Sequence, residues 1–377
     1  MWSVGMRRAA AAAATMAALT VRGTPTAYAD AVRDKQWPLQ AFAAAERIWP
    51  VTTGGGQVVA VIDTGFRVTH VDLSGRLLPG KDFAPSGYNE IANAAHGTMM
   101  ASLIAGRGHG PDRSDGIMGL APDTQILPLT VDLQSDHNDE EIAEAIRYAV
   151  SRGADVINMS FTDIAPSGPE LSAVAYAEAH NVVLVAGAGN DGIEASNYPA
   201  SYPGVVDVGG ANEDGSVWGG SDFGGHLTLV GPASGVLGDG GGGDTQYVVG
   251  DGTSGASAYV AAAAALVRAA FPGLTAGQVV NRLIKSAVDP DARPGQGTPD
   301  LHYGYGVVRP DAALTQDIPP GPAAGPLPQA TDPSAARPAV AATTVTATAT
   351  ATWPLWLAGA TALLSLLGLL LRHRRRA

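Results

Sequence analysis

Residues 252–272 read GTSGASAYVAAAAALVRAAFP, a small-residue turn carrying Ser254 that runs directly into an Ala-rich apolar segment closed by Pro272. This is the pattern of a serine at the mouth of a buried helix. Gly252 and Gly255 permit a tight turn and the close approach of a second segment. The Ala block favours helix and close packing, and Pro272 cannot continue it. A serine there sits at the positive end of the helix dipole beside unpaired N–H groups, a setting that favours an anion forming next to it. Helix capping alone would also account for such a serine. What lies upstream decides between capping and chemistry.

Upstream, short apolar runs alternate with amphipathic segments. Residues 58–62 (VVAVI) follow a glycine cluster and end at Asp63-Thr64-Gly65, which predicts a buried strand and then a loop. Residues 126–131, 156–161 and 182–186 are further strand-like runs. Residues 139–152 (DEEIAEAIRYAVSR) place Ile142, Ile146, Ala149 and Val150 on one face, with acidic residues in the first turn and a basic one in the last. A second helix is predicted over 171–180. Strand alternating with helix at this spacing implies an α/β fold, a central and mostly parallel sheet covered on both faces, in three layers. In such sheets the working residues gather at the carboxyl ends of strands and at helix N-termini.

Four residues fall at those places. Asp63 closes the first strand, His96 opens the apolar helix pattern HGTMMASLIAG, Asn190 closes the strand VVLVAGAGN, and Ser254 opens the helix above. A serine needs a base to take its proton, and the base needs a carboxylate to fix its tautomer. The oxyanion that follows needs preorganised donors, which an Asn side chain and the Ser N–H can supply. Taken singly, Asp63 reads as a turn former, His96 as a helix cap and Asn190 as a loop residue. Together, in one α/β body, they match the four jobs.

The blocks Val61-Ile62-Asp63-Thr64-Gly65, His96-Gly97-Thr98, Ala188-Gly189-Asn190-Asp191-Gly192 and Gly252-Thr253-Ser254-Gly255-Ala256 resemble the four signature blocks of the subtilisin-like serine proteases, in the same order. The resemblance covers residues 35–314. It implies that Asp63 orients the base, His96 is general base and then acid, Ser254 is the nucleophile, and Asn190 with the Ser254 N–H forms the oxyanion hole. It also implies that Ser160, Phe161 and Thr162 bind an extended substrate beside the first specificity pocket. The chain departs from the family pattern at Ala258, where proline is usual, and at Ala262 and Thr162, where glycine is usual. Gly231-Pro232-Ala233 stands where Ala-Pro-Gly is usual. By resemblance His70 and Asp72 match a noncatalytic element. The other histidines, His109, His137, His180, His226 and His302, read as loop or surface residues.

No cofactor is expected. Subtilases often bind calcium in loops, but no Asp-rich loop here has a recognisable ligand spacing, so no metal is expected for the chemistry. The run GDGGGGD over 238–244 lacks the Lys-Ser/Thr of a phosphate cradle and reads as a mobile surface loop gating the cleft.

The 377 residues are 46% hydrophobic and include 48 glycines, enough for one large core with many turns. Seven of the 23 basic residues and none of the 35 acidic ones lie in the two ends, leaving a body of net charge −19. So acidic a body excludes nucleic acid as a partner. There is no cysteine, hence no disulfide or thiolate nucleophile. Residues 1–29 read as a signal peptide: Arg7 and Arg8, an apolar run, then Ala27-Tyr28-Ala29 for cleavage. Residues 30–316 form the peptidase domain and 317–352, rich in Pro, Ala and Thr, a disordered stalk. Residues 353–371 carry no charge and as a helix would span about 28 Å, the reach of a membrane helix. The basic tail 372–377 follows and stays in the cytoplasm by the positive-inside rule, which places the body outside the cell membrane. This layout resembles the mycosins, membrane-anchored subtilases of type VII secretion systems. It implies an extracytoplasmic endopeptidase acting on protein or peptide beside a secretion complex. A structural subunit of that complex with a dispensable protease site is the alternative.

Overall fold

The computed structural model describes residues 32–333 except 87, 90–92, 135–138 and 291–298. The expected signal peptide, the expected membrane segment, the basic tail and His137 therefore lie outside the described residues. Among those described, no helix is long and apolar enough to cross a membrane.

In chain order the strands are β1 (Val58–Asp63), β2 (Lys81–Asp82), β3 (Arg107–His109), β4 (Asp115–Met118), β5 (Gln125–Thr130), β6 (Val156–Met159), β7 (Val183–Gly187), β8 (Val205–Ala211), β9 (Leu229–Pro232), β10 (Val236–Asp239) and β11 (Tyr247–Gly250). Seven form one sheet in the order β2-β5-β1-β6-β7-β8-β9, and every pairing in it is parallel. The pairs β3–β4 and β10–β11 are antiparallel hairpins. The helices are α1 (Trp37–Ala41), α2 (Ala94–Ala105), α3 (Asp139–Ser151), α4 (Gly168–Ala179), α5 (Thr253–Ala270), α6 (Ala276–Ser286) and α7 (Pro310–Thr315).

The period of two along β1 divides the core. Val59 and Val61 face one side, packed with Met100 and Leu103 of α2 and Val260 of α5; Ala60 and Ile62 face the other, with Ile142 and Ile146 of α3 and Val174 of α4. Two helical layers thus cover a sheet buried on both faces, which is why β1 reads as an unbroken apolar run. Helix α5 is buried on all sides from Gly255 to Val267, and its alanines let neighbouring elements approach closely.

Three segments differ from the sequence reading. Helix α4 begins before residue 171, because the Ser167 hydroxyl accepts the Glu170 N–H and Pro169 starts the first turn. The 238–244 run is a hairpin turn tied to the body rather than a loose flap: Asp244 Oδ1 takes Arg67 Nε at 2.7 Å and Thr69 Oγ1 at 2.6 Å, and its carbonyl takes the Val71 N–H at 2.9 Å. The first part of the expected stalk, 317–333, lies against the body. Polar side chains of α6 bind its carbonyls, with Asn281 donating to Pro319 and Pro320, Gln278 to Gly321, and Arg282 to Gln316 and Ile318.

Candidate active site

Asp63, the last residue of β1, is fully buried. Its Oδ1 accepts the Thr64 N–H at 2.8 Å, and both carboxylate oxygens face His96 Nδ1, at 2.9 and 2.8 Å. His96 lies in the first turn of α2. The helix can press this close because Gly97 follows: a Cβ there would collide with the Gly65 carbonyl and crowd Asp63 Cβ. With Nδ1–H held by the carboxylate, Nε2 carries the lone pair. The Asp63 charge outweighs the cost of burial and raises the His96 pKa above the ordinary 6.5. The ring is 41% exposed and lines a cavity open to solvent.

Ser254 is the second residue of α5. Its Oγ donates to the Ser160 carbonyl at 3.2 Å and is not hydrogen-bonded to His96. His96, Ser254 and Asn190 line one cavity of about 200 Å³, with Met99, Val236 and Gly250 also in its wall. A larger hollow of about 760 Å³, bordered by Phe66, Leu77 and Pro128, contains no nucleophile and base together. Chemistry rather than volume marks the site.

Asn190 follows β7 in a braced loop. Asp222 Oδ1 accepts the N–H groups of Asp191 and Ile193, both at 3.0 Å, and Asn197 Nδ2 donates to Asp222 Oδ2 at 2.8 Å and to the Ala188 carbonyl at 2.7 Å. Asn190 Oδ1 accepts the Thr253 N–H at 2.9 Å and its hydroxyl at 3.1 Å. An N–H donor on that side assigns the oxygen there and turns the amide NH₂ away from it. Nδ2 and the Ser254 N–H make no hydrogen bond among the described residues, so both donors are free for an anion.

Ser160, Phe161 and Thr162 continue from β6 beyond the sheet. Ser160 is buried, its hydroxyl 2.9 Å from Ser257 Oγ and bound by Asn158 Nδ2 at 2.8 Å. Phe161 is half-buried and Thr162 exposed. The Phe161 and Thr162 amides are unpaired among the described residues, which leaves them open to a neighbouring strand.

Two histidines read as ordinary surface residues are paired with buried carboxylates: His109 Nδ1 with Asp72 Oδ1 at 2.7 Å and His226 with Asp207. Isolated histidines in loops carry no sequence signal for partners so far along the chain. Among the described residues one group of His and Asp side chains converges closely enough to hold an ion, namely His70, Asp72 and Asp239. It includes no member of the Asp63–His96–Ser254 set, and its imidazole ligand does not suit calcium, which takes oxygen.

Residues 54–306 match the family model described as the subtilase family, peptidase S8. Mycosin-1 of Mycobacterium tuberculosis is 34% identical over 333 residues, covering 73% of this chain and 72% of that protein. A thermophilic serine proteinase of a Bacillus species is 37% identical over 186 residues, 49% of this chain and 46% of its own length, so the chain spans about half of that relative. Among solved structures, MycP1 from the ESX-1 type VII secretion system superposes with a TM-score of 0.64 at 30% identity, over 79% of this chain and 89% of that one. The parallel sheet, the motif order and these likenesses agree: the chain belongs to the subtilase family.

Proposed function

We propose that this protein is a serine endopeptidase that hydrolyses an extended peptide through Asp63, His96 and Ser254. The observation that carries the reading is the buried Asp63 carboxylate 2.8 Å from His96 Nδ1, with that imidazole, Ser254 and Asn190 around one cavity. Ser254 Oγ turns from the Ser160 carbonyl to His96, gives its proton to Nε2 and bonds to the peptide carbonyl carbon. Asp63 stabilises the imidazolium. Asn190 Nδ2 and the Ser254 N–H receive the oxyanion. Collapse of the tetrahedral adduct breaks the C–N bond, and His96 returns its proton to the departing amine. Water then repeats the sequence on the acyl-enzyme, which restores Ser254. The free amides of Phe161 and Thr162 support main-chain pairing with substrate along 160–162.

A place of action at the outer face of the cell membrane is supported by the mycosin likeness and by the sequence flanking the body. An apolar run over 353–371 with a basic tail behind it supports a single-pass anchor with the body outside the cytoplasm. Extensive likeness to mycosin-1 and to MycP1 supports work beside a type VII secretion complex.

Labelling with a fluorophosphonate tests the chemistry. The purified protein is expected to take one label, and Ser254→Ala none, with peptide cleavage lost in parallel. His96→Ala should cost about as much as Ser254→Ala, and the double variant little more, because the two act as a unit. A folded wild-type protein that stays unlabelled and cleaves no peptide would refute the assignment.

A further inference from the structure

His70, Asp72 and Asp239 are fully buried, and the peptidase mechanism uses none of them. His70 and Asp72 lie in the segment after β1, at the turn Val71–Leu73, and Asp239 ends β10. One ligand atom from each lies within 4.8 Å of the others.

Hydrogen bonds fix what each group presents. His70 Nε2–H donates to the Gln246 carbonyl at 3.1 Å, and Nδ1 accepts the Asp72 backbone N–H at 3.4 Å. The Nε2–H bond leaves Nδ1 as the ring atom beside Asp239, and the Asp72 N–H at 3.4 Å is too distant to occupy it fully. Nδ1 stands 2.9 Å from Asp239 Oδ2. Neither Asp239 oxygen accepts a hydrogen bond, although the side chain is wholly out of solvent. A buried carboxylate with no donor is strongly unfavourable. A cation among the three groups removes that fault.

The surroundings are those of a bound ion. A ligating histidine normally gives its other N–H to a carbonyl, as His70 does to Gln246, and ligating carboxylates are normally hydrogen-bonded behind. Asp72 accepts His109 Nδ1 at 2.7 Å and the Ile117 N–H at 2.8 Å. Tetrahedral ligands on an ion with bonds of ~2.0–2.1 Å stand about 3.3 Å apart, so the 2.9 Å between Nδ1 and Oδ2 needs to open by a few tenths of an ångström to admit one. Two carboxylates balance a double positive charge, and an imidazole nitrogen selects a transition ion over calcium.

We propose that His70 Nδ1, Asp72 and Asp239 bind a divalent transition-metal ion of the zinc(II) class as a structural staple. It ties the segment after β1 to the β10–β11 hairpin, whose Val236 and Gly250 line the catalytic cavity. The ion takes no part in the hydrolysis.

Equilibrium dialysis of the chelator-stripped full chain against zinc(II) alone is expected to return one zinc per chain. Asp239→Asn should bind at least about 10-fold more weakly, whereas Asp63→Asn should keep the metal, which separates this site from the triad. Saturating zinc should raise Tm by about 5 °C in wild type and leave Asp239→Asn unmoved, and calcium should do neither. If Asp239→Asn does not fold, Asp239→Cys supplies another ligand. In a chain without cysteine, X-ray absorption should then show a sulfur at about 2.3 Å from zinc. Absence of stoichiometric zinc at micromolar concentrations, zinc retained undiminished by Asp239→Asn, or no sulfur shell in the cysteine variant would each overturn the proposal. A proton on Nδ1 would then be what holds the pair together.

Discussion

Thr253 holds Asn190 by its oxygen. The backbone N–H and the hydroxyl of Thr253 both bind Asn190 Oδ1, so the residue beside the nucleophile sets which end of the amide faces the cavity. Asn190→Ala is expected to lower kcat by ~10²–10³ with little change in KM, the loss known for one oxyanion donor in a subtilisin. Asn190→Asp should be worse, because it keeps the acceptor for Thr253 and turns a second oxygen toward a developing negative charge. Equal activity of the two variants would show that the amide nitrogen does not meet the oxyanion.

The Asp63–His96 pair sets the pH response. His96 must be neutral to accept the Ser254 proton, and Asp63 raises its pKa, so kcat/KM should climb with pH along a limb centred above 6.5. Asp63→Asn should move that midpoint down and lower kcat by about 10⁴. A midpoint that stays in place in Asp63→Asn would disconnect the limb from this pair. The same shift bears on folding. A histidine pKa higher in the folded chain contributes stability in full below the unfolded pKa. That contribution is lost as pH rises through the folded value.

Arg282 fastens the segment after α7. Its guanidinium donates to the carbonyls of Ala313, Gln316 and Ile318 and lies 4.0 Å above the Phe271 ring. Arg282→Met keeps the apolar stem and strips the donors, leaving three carbonyls to find water. We expect a loss of about 3 kcal/mol and early proteolytic cleavage within 317–333, with unchanged activity per folded molecule. Urea unfolding and limited elastase digestion, which cuts after small residues such as the alanines of this segment, read the two effects separately.

Topology is open to a direct measurement. Protease added to intact cells should remove the body and leave a small membrane-bound stub. A body protected until the membrane is opened would place it on the cytoplasmic side. In cells lacking the protein, secretion restored by Ser254→Ala would assign it a structural role separable from its chemistry.

How much of this was legible in the residues differs from place to place. Asp63, His96, Asn190 and Ser254 stood out because each ends a strand or opens a helix whose apolar period is strong. The strap over 317–333 was misread because Pro- and Ala-rich chain has no period of its own. Its partners Gln278, Asn281 and Arg282 look like a solvent face until the carbonyls they bind are seen. Asp239 was hidden in a glycine run, and its relation to His70 spans most of the domain. Local pattern reports what a residue does to its own element. It carries little about a partner reached only through the fold.

The all-parallel order of the sheet has a further consequence, in time rather than space. Within this sheet no strand pairs with its chain neighbour through a hairpin, so each pairing waits for a crossover to return, and Ser254 meets Ser160 across 94 residues. Such non-local topologies assemble slowly and late. A chain still emerging from the ribosome holds Asp63 and His96 long before Ser254 arrives. The nascent chain lacks Ser254, and with it the completed cavity, until the last third of its length has been made.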